Sequence, residues 1–187
     1  LTITLEQLYE MQKKLDARII VEKGLEGVDL LPNTVLALQV EIGYLANLWR
    51  GFKHWSNDRA PRTRLKHCLG CGTIEEPEVC PICGNENPLL NKYADCLHFF
   101  LSIARQLDLP AKDLYSPGPD EELMGGTSKV FTEIIYHVGT VGLKKDSFFQ
   151  KTALRLGLWI FYSLGEQRLG FTFEEIAAAY VAKNEVN

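Results

Sequence analysis

The chain has 187 residues and no apolar run long enough to span a bilayer. Its first residues show no basic-then-apolar pattern of a secretory signal. These absences argue against a membrane protein and against export, so a cytoplasmic protein is expected. Positive charge is not in excess: the net charge is −4, which gives no global basic field to steer the chain to nucleic acid or to an anionic membrane. There is no internal repeat and no convincing pair of strands, which removes solenoid and β architectures. No aromatic residue lies between Asn57 and Pro88, so the one locally basic stretch (Arg59, Arg62, Arg64, Lys66 and His67) lacks a base-stacking platform. It reads best as a solvated loop face, and nucleic acid is not an expected partner. Cysteine is scarce outside one segment: Cys96 stands alone, on an apolar helical stretch, and reads as a small buried hydrophobe.

Helical periodicity dominates what is present. Thr4 and Gln7 form a capping box, followed by Leu5, Leu8, Met11, Leu15 and Ile19 on one apolar face. Gly24 and Gly27 close that helix. Asn33 is the expected cap of a second helix with Val35, Leu38, Ile42, Leu45 and Trp49 as its buried stripe. Residues 56–87 break the pattern. Asn87 and Pro88 read as a cap and first position of a third helix through Leu90, Ala94, Leu97, Leu101 and Ala104, which stops before Pro110. The Pro- and Gly-rich stretch 108–126 is expected to be a loop and a candidate lid. A fourth helix fits 129–141. A fifth fits 147–164, apolar almost all round and hence expected to be central or at a subunit contact. Thr172 and Glu175 cap a last helix to about residue 183. The fold class is therefore all-α, a single-domain bundle of about six helices over residues 1–187, with residues 57–87 as an inserted loop.

That loop carries Cys68 and Cys71, then Cys80 and Cys83, each pair followed by glycine. Two Cys-x-x-Cys turns present four thiolates, enough to complete the tetrahedron of a structural Zn²⁺ with no position left for water. The expectation is a four-cysteine zinc loop whose metal supplies the folding free energy that its few apolar residues cannot.

The second helix with its Glu41, the segment Phe52 to Trp55, the stretch Asp95 to Phe99, the residues Gln12 to Asp16, and the C-terminal Lys183, Asn184 and Asn187 together resemble the all-α dimeric dUTPase family. The resemblance covers most of the chain and is interrupted by the cysteine segment. It implies an all-α fold, a homodimer, and Mg²⁺-dependent hydrolysis of dUTP to dUMP and pyrophosphate. It also implies catalytic, metal-holding roles for Glu41 and Asp95. Gln12 and Asp16 match places used near the base, with a polar stripe beside the core as the alternative. Lys53 and Trp55 match a segment that meets phosphate and covers the nucleotide; simple loop packing is the alternative for Trp55. His98, three residues after Asp95, faces the same pocket, either touching nucleotide or as a satisfied semi-buried histidine. Lys183, Asn184 and Asn187 match a tail that closes over phosphates.

The departures from that pattern decide the function. The family carries two acid pairs at i, i+3, each on one helix face. Here Tyr44, Leu48 and Lys92 stand where acids are expected, and Asn91 replaces a further one. Two acids hold at most one Mg²⁺, weakly and with help from substrate phosphates, and the Lys92 ammonium repels it. Three readings follow. The first is an active Mg²⁺-dependent pyrophosphohydrolase for dUTP or a related nucleotide, whose depleted acids point to weak or lost activity. The second is a non-catalytic relative that binds nucleotide, with Lys92 in a salt bridge to Glu41 or Asp95. The third is a zinc-dependent interaction module.

Overall fold

A computed structural model of the chain describes residues 3–63, 87–114 and 122–186. It contains six α-helices: α1 Leu5–Lys23, α2 Leu31–Trp49, α3 Pro88–Gln106, α4 Thr127–Leu143, α5 Ser147–Leu164 and α6 Phe173–Val186. A single 3₁₀ turn, Ala111–Asp113, follows α3, and a π turn, Gly165–Leu169, extends α5. Neither short turn was expected from the sequence.

The caps explain several boundaries. At α1 the Thr4 hydroxyl accepts from Gln7 N–H at 3.4 Å while Thr4 N–H donates to Gln7 Oε1 at 2.9 Å. At α6 the Thr172–Glu175 pair repeats this, with Thr172 N–H to Glu175 Oε2 at 2.8 Å and Glu175 N–H to Thr172 Oγ1 at 3.2 Å. Asn87 caps α3, its Oδ1 accepting from Leu89 and Leu90 N–H at 3.1 Å. The start of α2 differs from expectation. Leu30 is the cap position, Pro32 sits in the first turn, and Asn33 is already helical. Proline's fixed φ is pre-organised for a first turn, and it takes precedence over the weaker asparagine signal one residue downstream.

The hub of the bundle is α3. It packs against α2, α6, α1 and α5. Eleven of its residues are buried, among them Tyr93, Leu97, Phe100 and Leu101, all at 0% exposure. α5 packs chiefly on α4 and buries Leu154, Leu158 and Phe161, while Phe148 and Phe149 at its start stay 71% and 56% exposed. Tyr93 locks α3 to α5: its ring stacks on Phe161 at 4.0 Å and its hydroxyl donates to the Phe161 carbonyl at 2.8 Å. Glycine is required where this ring meets the π turn, because a Cβ on Gly165 would lie 2.5 Å from the Tyr93 hydroxyl. A second close approach, of α4 to α5, rests on Gly157, whose Cβ would lie 3.2 Å from that of His137.

The zinc expectation is corrected. Among the described residues, no group of three or more His, Cys, Asp or Glu side chains could hold a metal ion. Cys68, Cys71, Cys80 and Cys83 lie outside the described residues, and the described cysteine, Cys96, is a free thiol buried in the core. The fold supported is a six-helix all-α bundle with no zinc centre among the described residues. Local spacing speaks only to each turn; a metal site also needs the two turns brought together, which spacing does not encode.

Candidate functional site

The cleft that matters lies between α1, α2, α3 and α6. It has a volume of about 690 Å³ and gathers Gln12, Asp16, Glu41, Asp95, His98 and Lys183. These are six of the residues singled out from the sequence. They converge because α3 carries Lys92, Asp95, Phe99 and Ser102 at helical spacing on one side, while α1 and α6 close over that stripe.

At the α2–α3 seam the two acids face each other across one ammonium. Lys92 Nζ donates to Glu41 Oε2 at 2.7 Å and to Asp95 Oδ2 at 2.8 Å. Lys183, from α6, pairs with the other Asp95 oxygen at 3.2 Å. The three side chains of the central triad are 15–25% exposed. Burial works against the charge on Lys92, but the hydrogen bonds to Asp95 and Glu41 outweigh it and hold its pKa above the ordinary lysine value. The ring of Tyr44 lies under the same ammonium, 5.6 Å from centroid to Nζ.

The α1–α6 side is a separate hydrogen-bonded network. The Gln12 amide donates to Asp16 Oδ1 at 2.6 Å. Its carbonyl oxygen accepts from the Tyr180 hydroxyl at 2.7 Å and lies 2.7 Å from His98 Nδ1. Because Gln12 Oε1 is an acceptor there, Nδ1 carries the proton and Nε2 keeps its lone pair. Asp16 is in turn paired with Arg105. The Tyr180 ring stacks on His98 at 3.7 Å, 17° from parallel. His98 is 6% exposed, and its Nε2 has no hydrogen-bond partner.

Burial lowers the His98 pKa to about 4, against a smaller opposing effect of Asp95. The imidazole is neutral in the fold and would be charged in the unfolded chain below about pH 6.5. A depressed pKa contributes stability that is present above pH 6.5 and lost as the pH falls towards 4. The loss is on the order of 3 kcal/mol at 1.36 kcal/mol per pKa unit. Urea midpoints measured between neutral pH and pH 4 should fall steeply in the wild type, and much less in His98→Phe; equal slopes would refute this origin.

The remaining expectations divide. Lys53 and Trp55 do not line the cleft. They sit on the loop after α2, fixed by Arg50 to the Asp58 carbonyl at 2.7 Å and Arg59 to the Gly51 carbonyl at 2.7 Å, with Trp55 68% exposed. Asn184 has a buried amide nitrogen without a hydrogen-bond partner. Asn187 lies outside the described residues. Leu48 does not face the seam as a vacant ligand position; it packs against the core, and its carbonyl accepts from Arg62 N–H at 2.8 Å. Sequence reasoning missed Arg105 and the role of Tyr180. Arg105 was detectable, since it continues the stripe of Lys92, Asp95 and Ser102 at helical spacing. Tyr180 was not, because its partners are 168 and 172 residues away.

The donor set does not fit a divalent cation. Mg²⁺ seeks an octahedron of oxygens, with carboxylates among them. Here two carboxylates are available, and the oxygens that face each other already accept from Lys92. An incoming ion would have to displace an ammonium from between its own ligands, against direct like-charge repulsion.

Comparison with known proteins agrees with the architecture. No curated protein matches the chain. A family model described as dUTPase matches residues 4–67 and 84–187, and the four cysteines fall between the two matched stretches. With α1, α2, α3 and α6 all inside the match, and the cleft built from those four helices, the chain belongs to the dUTPase family.

Proposed function

We propose that this protein is a dUTPase-family member that keeps a nucleotide-side pocket and has lost most of its pyrophosphohydrolase activity. One observation carries the reading: Lys92 bridges Glu41 and Asp95 at 2.7 and 2.8 Å, between the two acids to which the family resemblance gives a divalent ion. Hydrolysis of dUTP to dUMP and pyrophosphate requires neutralisation of the phosphate charge and activation of water, and a seam already neutralised by its own lysine supplies neither. Gln12, Asp16 and His98 are assigned to the nucleoside side. Lys183 and Asn184 are assigned to the phosphate side, where Lys183 is held by Asp95. Pyrophosphate release from dUTP with Mg²⁺ should stay near the uncatalysed background; turnover typical of enzymes, roughly 1 s⁻¹ or more, overturns the proposal.

A homodimer is part of the same reading. Leu36, Val40 and Tyr44 form a stripe at i, i+4, i+8 on α2 that is 61%, 47% and 54% exposed. An apolar helix face of that length calls for cover, and a second copy of the chain is the partner that the family implies. Sedimentation equilibrium should give twice the mass of 21.1 kDa; a monomer that persists at high protein concentration sinks this part. Among the described residues, no helix is long and apolar enough to cross a membrane.

A further inference from the structure

One stripe of α3 continues past the cleft described above. Lys92, Asp95, Phe99, Ser102 and Arg105 follow one another along it at helical spacing. Lys92 and Asp95 line the cleft of about 690 Å³, whereas Arg105 lines an adjoining cleft of about 300 Å³. Asp16, Ile19, Phe99 and Ser102 line both, so the two form one trough. Asp95 and Arg105 are about 15 Å apart along the helix axis, at roughly 1.5 Å per residue. That is room to lay out a nucleotide from its phosphates to its base.

The two ends differ in chemistry. At the seam stand the ammonium groups of Lys92 and Lys183. At the far end a guanidinium and a carboxylate sit side by side, with Ile19, Ile20, Leu30 and Phe99 as apolar walls. A phosphate chain suits the first end. A flat ring with a few polar atoms on its edge suits the second.

The Arg105–Asp16 pair is open enough to meet a ligand, with 20% and 14% of the two side chains exposed. It is also held in orientation. One Asp16 oxygen accepts from Arg105 Nη1, and the other accepts from the Gln12 amide at 2.6 Å. Each carboxylate oxygen has room for a second hydrogen bond, and a guanidinium carries five N–H donors and no acceptor. A donor-only group beside an acceptor-only group reads a ring carbonyl next to a ring N–H. Uracil carries that pattern at C4 and N3. Cytosine carries the reverse, an amino group at C4 and a bare lone pair at N3.

We propose that Arg105 is a specificity-determining residue: it donates to the 4-oxo group of a uracil base while Asp16 accepts from N3–H, and the phosphates run along α3 towards Lys92 and Lys183. The contact rests on the nucleotide reading of the cleft given above, and it names the group that reads the base. Cytosine in the same register points amino hydrogens at the guanidinium and a lone pair at the carboxylate, so it loses both hydrogen bonds.

Titration calorimetry of the full chain with dUMP and dCMP, both in EDTA, tests it. dUMP should bind at least about tenfold more tightly. Equal affinities overturn the inference and leave the nucleotide reading standing. Failure of both to bind overturns that reading as well. Arg105→Gln presents either a donor or an acceptor by turning its amide, so the preference for dUMP should collapse. A pair that only ties α1 to α3 would lower Tm and weaken both nucleotides alike, and an unchanged ratio refutes the role of Arg105. Lys183→Ala should weaken both by the same factor and keep the wild-type ratio; a changed ratio overturns the direction in which the ligand lies. Should Arg105→Gln not fold, the 2-pyrimidinone analogue of dUMP decides on the wild type, because it lacks both the 4-oxo group and the N3 hydrogen. It should bind at least about tenfold more weakly than dUMP, and equal binding refutes the contact.

Discussion

Lys92→Glu should turn the α2–α3 seam into a metal-dependent one. In EDTA the variant loses the ammonium that Glu41 and Asp95 share at 2.7 and 2.8 Å and gains a third carboxylate in its place. Removing one partner of a buried pair costs about 3–5 kcal/mol, and the partial exposure of this triad puts the expected loss at the lower end, near 3 kcal/mol. For a chain of this size that is a fall in Tm of roughly 6–12 °C. Mg²⁺ should restore most of it, because an ion that binds only the folded state stabilises by about 2.7 kcal/mol at a hundredfold excess over its Kd. Wild-type Tm should not respond to Mg²⁺ at all. Adding Tyr44→Glu places four carboxylates on the two helices, since Tyr44 already lies beside the Lys92 ammonium. The double variant should release pyrophosphate from dUTP at least about 100-fold faster than the wild type, which asks the new acids for only about 2.7 kcal/mol of transition-state stabilisation. Leu48 should be left unchanged, because its side chain belongs to the core packing. Calorimetry in EDTA and in Mg²⁺ is the decisive measurement. A Lys92→Glu variant indifferent to the ion would mean that Lys92 does not stand in for a metal.

Tyr180→Ala is expected to detach α6 from the rest of the cleft. Tyr180 is fully buried; its hydroxyl reaches Gln12 Oε1 at 2.7 Å and the Leu8 carbonyl at 3.3 Å, and its ring covers His98. Truncating a buried aromatic costs about 3–5 kcal/mol, and here the truncation also opens one face of the imidazole to water. The urea midpoint should drop accordingly with little change in slope. Because burial is the main cause of the low His98 pKa, the imidazole should titrate well above 4 in the variant, closer to its ordinary 6.5. Tyr180→Phe separates the two effects: it should lose about 1 kcal/mol for the hydrogen bond and leave the His98 titration low. A His98 pKa that stays near 4 in Tyr180→Ala would show that another group keeps the ring dry.

The two variants probe different halves of one cleft and test the proposal that the family fold persists here without its chemistry. The seam between α2 and α3 needs a positive charge to hold two carboxylates together. A covalently attached ammonium supplies it at every metal concentration, whereas an ion supplies it only when bound. On the proposed reading, the structural demand is met while the reactivity of a hydrated divalent cation is given up.

Local signals alone specified the helices, their order and the family resemblance. Capping boxes at Thr4 and Thr172, the Asn87–Pro88 start of α3 and the apolar spacing within each helix survive folding because helix geometry is set by neighbours three and four residues apart. The charge reversal at residue 92 was equally legible. Packing settled the rest. It made α3 the hub, because burial depends on which faces meet and not on how apolar a helix is alone. It brought Gln12, Asp95, His98 and Lys183 into one cleft from three helices and left Lys53 and Trp55 outside it. A Lys92 salt bridge was one of the readings open from the chain, and only the contact of α2 with α3 fixed the bridge between both acids at once. Ion pairs and hydrogen bonds fall off within a few ångströms, while the residues that form this site lie 51, 86 and 168 positions apart.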